Sequence, residues 1–327
     1  MVIVTGGTGH IGNVLVRHLL QKGYDVTVID KMSKDDPAIA GLPIHYLQTD
    51  IREKDTLLHI FSKADAVIHL AGIISIMPGK EELLRSVNID GTKAVLQACK
   101  QVKVKKLIYI STIHALYEPP KDTPITEKLA KENEVLGEYA RTKVIATEEV
   151  RKAFSEGLQG NIVYPTGVIG PYDFKNSEMG ILIRDAKRYT KIFYLQGGYN
   201  FVDVRDLAKG IVLTLEKGRN GADYILGGEG LSVYQLFRVL AKLTGTIGPK
   251  IKVPDILVKM VLPLSEFVYK LIKKPPILTR YSVDVLNSNY MVSSAKAEES
   301  LGYRYRNIEE TIKDTFDWMN GKEIRID

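Results

Sequence analysis

The opening of the chain constrains its fold more than any other stretch: Val2-Ile3-Val4-Thr5 runs into Gly6-Gly7-Thr8-Gly9-His10-Ile11-Gly12. The β-branched, apolar run predicts a short buried strand. Apolar residues at 11, 14, 15 and 19 then fall at helical spacing. Strand, glycine turn and helix in that order is the context in which Gly-x-Gly-x-x-Gly implies a dinucleotide site. The glycines allow close backbone approach, and unpaired N–H groups at the helix start face an anionic pyrophosphate. A second predicted strand ends on Asp30, eighteen positions after Gly12, where a carboxylate accepts from adenosine ribose hydroxyls. Cofactor candidates are therefore Gly6, Gly7, Thr8, Gly9, His10, Ile11, Gly12 and Asp30, with Lys31 beside the acid.

A polar loop at 31–41 leads to a third predicted strand, 44–48, ending at Asp50 and Ile51, a place for an adenine contact. A helix at 54–61 precedes a strand at 66–72, where Ala71 and Gly72, after Leu70, leave room for a ligand on the strand end. The next helix carries Asn88 and runs to about residue 100, and a fifth strand at 106–110 ends in Ser111-Thr112. Strands alternating with helices predict an α/β fold, a doubly wound parallel sheet. A Pro-containing loop (Pro119, Pro120, Pro124) precedes a helix over 133–154, and a strand at 161–164 meets Pro165. Past Pro171 the rhythm loosens: 201–215 read as a helix, 224–226 as a strand, and 232–243 as a helix capped by Ser232. The domain change is placed at 170, giving a nucleotide-binding unit at 1–170 and a substrate domain at 171–327, with about 201–226 returning to the first. Residues 256–272 are apolar but interrupted by Lys259, Pro263, Glu266 and Lys270, so they do not span a bilayer. A helix closing over a substrate pocket is favoured there over one lying on a membrane surface.

With 327 residues, 45% apolar and 26% charged, the composition is that of a soluble globular protein. The single cysteine, Cys99, excludes an intrachain disulfide and suits a reducing interior. A chain opening on its first strand is expected to lack a secretory leader, so a cytoplasmic location is expected. The net charge of +6 is dispersed and no nucleic-acid module accompanies it, so nucleic-acid binding is not expected. No Cys/His or carboxylate cluster has metal-ligand spacing.

Tyr139 and Lys143 stand four residues apart, hence on one helical face. A phenol with its ordinary pKa of about 10 is a poor proton shuttle near neutrality. A nearby ammonium is expected to lower it. Lys143 also suits nicotinamide ribose hydroxyls. Alone, Tyr-x-x-x-Lys describes a solvated pair; its place after five βα steps gives it meaning. Thr112 ends the fifth strand, where α/β sheets bind ligands, and its hydroxyl can polarise a carbonyl while Tyr139 supplies the proton. Asn88 is expected to order backbone or water near Lys143.

Thr5-Gly-Gly-Thr-Gly-His-Ile-Gly12, His69-Leu-Ala-Gly72, Asn88-Ile-Asp-Gly-Thr92, Ser111-Thr112 and Tyr139-x-x-x-Lys143, in this order, resemble the extended short-chain dehydrogenase/reductases, the NAD-dependent epimerase/dehydratase superfamily. The similarity continues through Pro165-Thr-Gly-Val-Ile-Gly-Pro171, Phe201-Val-Asp-Val-Arg-Asp-Leu-Ala208 and Ala297-Glu-Glu-Ser-Leu-Gly-Tyr303, nearly the whole chain. It implies a Rossmann sheet of about seven strands, a smaller C-terminal substrate domain and, commonly, a homodimer. It also implies that Thr112, Tyr139 and Lys143 act together in hydride transfer. Further cofactor contacts are implied at Tyr164, Pro165, Thr166 and Val168, and substrate contacts at Ser75, His114, Thr166 and Tyr172.

Within that resemblance, sugar dehydratases follow the strand-end Thr with Asp-Glu, whereas Ile113-His114 stands here. Nucleotide-sugar epimerases usually carry Arg and Asn where this chain has Tyr164 and Thr166. The segment 165–174 and the five-residue step from Thr112 to Tyr117 look more like dihydroflavonol reductase-like proteins. The expected function is therefore an oxidoreductase acting on a small, fairly apolar carbonyl or secondary alcohol. An epimerase that retains NAD and a non-catalytic dinucleotide-binding sensor or scaffold are the alternatives. Asp30 favours NAD over NADP, because a carboxylate repels a 2′-phosphate.

Overall fold

The structure, a computed structural model, describes residues 1–75, 79–186, 188, 192–254, 256–258, 260 and 280–327. The helix expected over 256–272 therefore lies largely outside the described residues, as do 76–78 of the loop after Gly72. β1 (Val2–Thr5), β2 (Val26–Asp30), β3 (His45–Gln48), β4 (Ala66–His69), β5 (Lys106–Ile110), β6 (Gly160–Pro165) and β10 (Asp223–Leu226) form one seven-stranded sheet. Its order is β10-β6-β5-β4-β1-β2-β3, and every pairing is parallel.

Alternation along the strands sorts side chains into two cores. Ile3, Val67, Leu107 and Tyr109 pack on one face beneath α2 (Lys54–Phe61), α4 (Thr92–Gln101) and α5 (Gly137–Ser155). Val2, Val4, Ile68, Ile108 and Ile110 pack on the other, against α1 (His10–Gln21) and α7 (Val204–Lys217). Because both faces are covered, the central strands are apolar throughout; each fully buried Val or Ile contributes about 1.5–3 kcal/mol. The strand order reverses between β1 and β4, so the ligand crevice opens beyond their carboxyl ends.

A separate core joins Ile169 of β7 (Gly167–Ile169), Phe201 of β9 (Gly198–Asp203) and Leu231 of β11 (Glu229–Ser232) to helices at Glu178–Asp185, Val233–Thr244 and Ile308–Met319. Those three strands make their own sheet, β11-β9-β7. The helix read from Phe201 begins instead at Val204. Phe201 to Asp203 stay in β9, and the Asp203 side chain caps α7 by accepting from the Arg205 N–H at 2.8 Å. The same aspartate pairs with the buried Arg205 guanidinium at 2.7 Å, and Arg306 pairs with Asp206 at 2.8 Å, tying the C-terminal segment to α7. The charged part of Val202-Asp203-Val204-Arg205-Asp206 is thus structural. No helix among the described residues is long and apolar enough to cross a membrane.

Candidate active site

The glycine turn is built for backbone approach. Gly6 has φ +77°, and a Cβ there would stand 2.8 Å from the Ala71 nitrogen. A Cβ on Gly12 would stand 2.2 Å from the Gly6 carbonyl oxygen, so no side chain fits while the turn holds. Gly9 occupies the N-cap of α1 and no side chain caps the helix, which leaves first-turn N–H groups for an anion. Leu70, Ala71 and Gly72 run out from β4 across the turn, with the Ala71 N–H donating to Thr5 Oγ1 at 3.2 Å. These features fit a dinucleotide: the turn would receive the pyrophosphate, the small strand end the nicotinamide half, and Asp30 the adenosine end.

Asp30 also braces the turn, accepting from the Thr8 N–H at 3.0 Å and the Thr8 hydroxyl at 2.9 Å. Lys31 does not face it: its ammonium lies 3.2 Å from Asp50. Arg52 also pairs with Asp50, at 2.7 Å, and its hydrogen bonds hold that carboxyl well below the usual range. Ile51 is buried in the core, so its side chain offers the adenine nothing. The His10 imidazole is bonded to the Pro171 carbonyl at 2.9 Å rather than directed at the cofactor. One contributor escaped the motif reading. Lys175 donates to the Thr8 hydroxyl at 2.6 Å, bringing a cation from 167 positions away onto the turn. No local pattern announces such a contact.

On the reacting side, Thr112 ends β5's extension and opens a 3₁₀ turn, its hydroxyl accepting from the His114 N–H at 3.4 Å. Tyr139, in the first turn of α5, has the Thr112 hydroxyl close enough to act on its phenol, so these two side chains come together as expected. Lys143 lies one turn further on, but its ammonium donates to the Tyr109 hydroxyl and the Ile110 carbonyl, each at 2.8 Å. The expected lowering of the Tyr139 phenol is therefore not found. Burial pushes it up to about 12. Burial also lowers Lys143 to about 7. Tyr109, 1% exposed, is the partner the sequence reading missed; strand alternation marks it only as core.

Asn88 falls in a π-helical segment, Ser86–Gly91, a local widening common at functional sites. Its amide holds the substrate-side loop, accepting from the Ile73 N–H at 2.8 Å and donating to the Ile73 carbonyl at 3.0 Å. It also donates to the Thr142 hydroxyl at 3.1 Å. Asn88 thus ties the loop that continues to Ser75 to α5, through Thr142 rather than Lys143.

A profile of the NAD dependent epimerase/dehydratase family matches residues 2–227. The chain belongs to that family. "Sterol demethylase protein B" of Methylococcus capsulatus is similar to it, 27% identical across 97% of each chain. A Synechocystis sp. protein named "Putative dihydroflavonol 4-reductase" is 29% identical, covering 97% of this chain and 93% of its own. The crystal structure of gox2253 superposes with a TM-score of 0.86 at 28% identity, over 98% of both chains. The chain is accordingly an NAD(P)-dependent enzyme of the extended short-chain dehydrogenase/reductase type, and Thr112 and Tyr139 with Lys143 one turn away are its candidate reaction centre.

Other family-implied positions divide. Thr166 and His114 line a cleft that reaches Ala140, the residue after Tyr139. Tyr164 does not; its ring is buried in the core beneath α2, α4 and α5, and its hydroxyl donates to Asp223 at 3.1 Å. Pro165 continues that strand, and Val168 packs at the edge of the α1/α7 core. Tyr172 is drawn off as well: its hydroxyl bonds the Ile324 carbonyl and its carbonyl accepts from Asn13 at 3.1 Å.

Burial leaves three imidazoles uncharged, lowering His18 and His114 to about 4 and His69 to about 3 from 6.5. The unfolded chain then binds more protons below pH 6.5. The contribution of each ring is full above that pH and is lost as pH falls, by up to about 1.4 kcal/mol per pH unit. The urea midpoint should therefore drop steadily from pH 6.5 toward 4, with His69→Gln showing a shallower slope. A flat midpoint across that window would refute the uncharged assignment.

Proposed function

We propose that this protein is an NAD(H)-dependent oxidoreductase that moves a hydride between nicotinamide and a small, largely apolar ketone or secondary alcohol. One observation carries the choice over a nucleotide-sugar substrate. The described wall of the cleft that reaches Ala140, the residue after Tyr139, combines Ile113, Leu116 and Val285 with the polar Thr166, Asn200 and Asn289 among others; its charged members are Glu118 and Glu134, and no Lys or Arg is among its described residues. A diphosphate there would meet two carboxylates and no counter-charge, a penalty that an uncharged ketone escapes.

Bound NADH supplies the hydride. Thr112 and Tyr139 then hold the carbonyl oxygen, and Tyr139 delivers the proton as that oxygen gains charge. A phenol held at about 12 is fully protonated at neutral pH, which suits the reducing direction. Lys143, anchored by Tyr109 and Ile110, would serve the nicotinamide ribose. Asp30 supports NAD over NADP. At 4 Å a unit charge on a 2′-phosphate would cost roughly 4 kcal/mol at an effective dielectric near 20, less where water enters, and Lys31 is already engaged by Asp50.

The test is NADH consumption with α-tetralone and related ketones, beside UDP-glucose, with NADH and NADPH titrated in parallel. Ketone-dependent consumption with tighter NADH binding is expected. Interconversion of UDP-sugars with cofactor retained and no net NADH change would replace this reading with the epimerase one.

A further inference from the structure

The cleft wall carries polar groups that hydride transfer leaves unused. His114, from the 3₁₀ turn after Thr112, meets Tyr199 of β9, with the phenolic oxygen 2.6 Å from His114 Nε2. Gly167 makes this possible, since a Cβ there would stand 2.4 Å from the Tyr199 ring. Beside them lies Thr166, 6% exposed, whose buried hydroxyl has no hydrogen-bond partner. Its polar neighbours along the wall are satisfied. Asn200 exchanges hydrogen bonds with the Gly228 N–H and carbonyl, both at 3.0 Å. Asn289 donates to the Thr123 carbonyl at 2.7 Å, and Glu118 accepts from the Asn289 N–H, also at 2.7 Å. An orphaned buried hydroxyl is costly unless something meets it, and a cleft is where a ligand can.

The chemistry of the group narrows the ligand. Burial keeps the imidazole uncharged, so the pair donates and accepts without supplying charge. The phenolic oxygen keeps capacity beyond its bond to His114. Together with Thr166 it presents donors and acceptors suited to a neutral oxygen rather than a carboxylate or phosphate.

We propose that Thr166 and the His114–Tyr199 pair form a second oxygen subsite, selecting substrates that carry an uncharged hydroxyl or carbonyl in addition to the group that reacts at Tyr139. This rests on the oxidoreductase reading and specifies its substrate class: an apolar ring skeleton with two separated oxygen functions.

Binding of α-tetralone and of its ring-hydroxylated derivatives is measured calorimetrically on enzyme saturated with NAD⁺, so that no hydride moves to the ketone. At least one hydroxylated derivative is expected to bind about tenfold tighter than the parent. That preference should fall to near unity in Thr166→Val and in Tyr199→Phe and return in Thr166→Ser, which restores the hydroxyl. Equal affinity across the wild-type series, no binding by any member, or a preference surviving both substitutions overturns the subsite. Preferential binding of compounds that NADH then fails to reduce leaves the subsite standing and removes the redox reading instead.

Discussion

Tyr139→Phe is expected to lower kcat for ketone reduction by about 10²–10⁴-fold, the range for loss of a positioned proton donor, while NADH affinity is nearly unchanged. The substitution deletes one oxygen from a partly buried phenol whose ring stays in place, so the fold tolerates it. What is lost is the proton delivered to the carbonyl oxygen and the polar contact with Thr112. Stopped-flow measurement of the hydride step beside equilibrium NADH titration separates the two effects. Turnover within about threefold of wild type would show that the proton comes from elsewhere, and the Thr112–Tyr139 contact would then be structural.

Gly12→Ala is expected to weaken NADH binding by about 100-fold or more, equivalent to about 2.7 kcal/mol, and to destabilise the fold by about 1–3 kcal/mol. The added methyl would sit 2.2 Å from the Gly6 carbonyl oxygen and 2.8 Å from Gly7 Cα, both backbone atoms that cannot rotate away. The turn must open or α1 must shift, and either moves the N–H groups that face the pyrophosphate. Calorimetric titration with NADH, checked by far-UV circular dichroism for retained helix, reads the outcome. Native affinity in a folded variant would mean that the dinucleotide does not lie on this turn.

The glycine turn shows why part of the site was readable from sequence. Gly6 to Gly12 are neighbours in the chain, and their function depends on φ, Cβ clearance and a helix start, all local properties. The strand-end position of Thr112 and the four-residue step from Tyr139 to Lys143 were legible for the same reason: strand ends and helical periodicity follow from short windows. Spacing fixes which side of a helix a residue occupies, but not what it touches there. Lys143 shares a face with Tyr139, yet Tyr109, 34 positions earlier, holds its ammonium. Tyr164 and Tyr172 follow the family pattern in sequence, while Asp223 and Ile324 take their hydroxyls. The β9 strand at Phe201 was hidden for a related reason: its apolar residues satisfy helical spacing equally well, and its pairing with β7 and β11 settles the matter.

By itself, the sequence determined the alternating strands and helices of the first five βα steps, the glycine turn and the helical step from Tyr139 to Lys143. Each of these is set by steric and hydrogen-bonding preferences within a few residues. Only the tertiary structure decided that burial raises the Tyr139 phenol, that Lys175 reaches the turn and that His114 faces Tyr199 across 85 positions of chain. Desolvation and hydrogen-bond partnership depend on which distant side chains the sheet and helices bring together, and no short window contains that information.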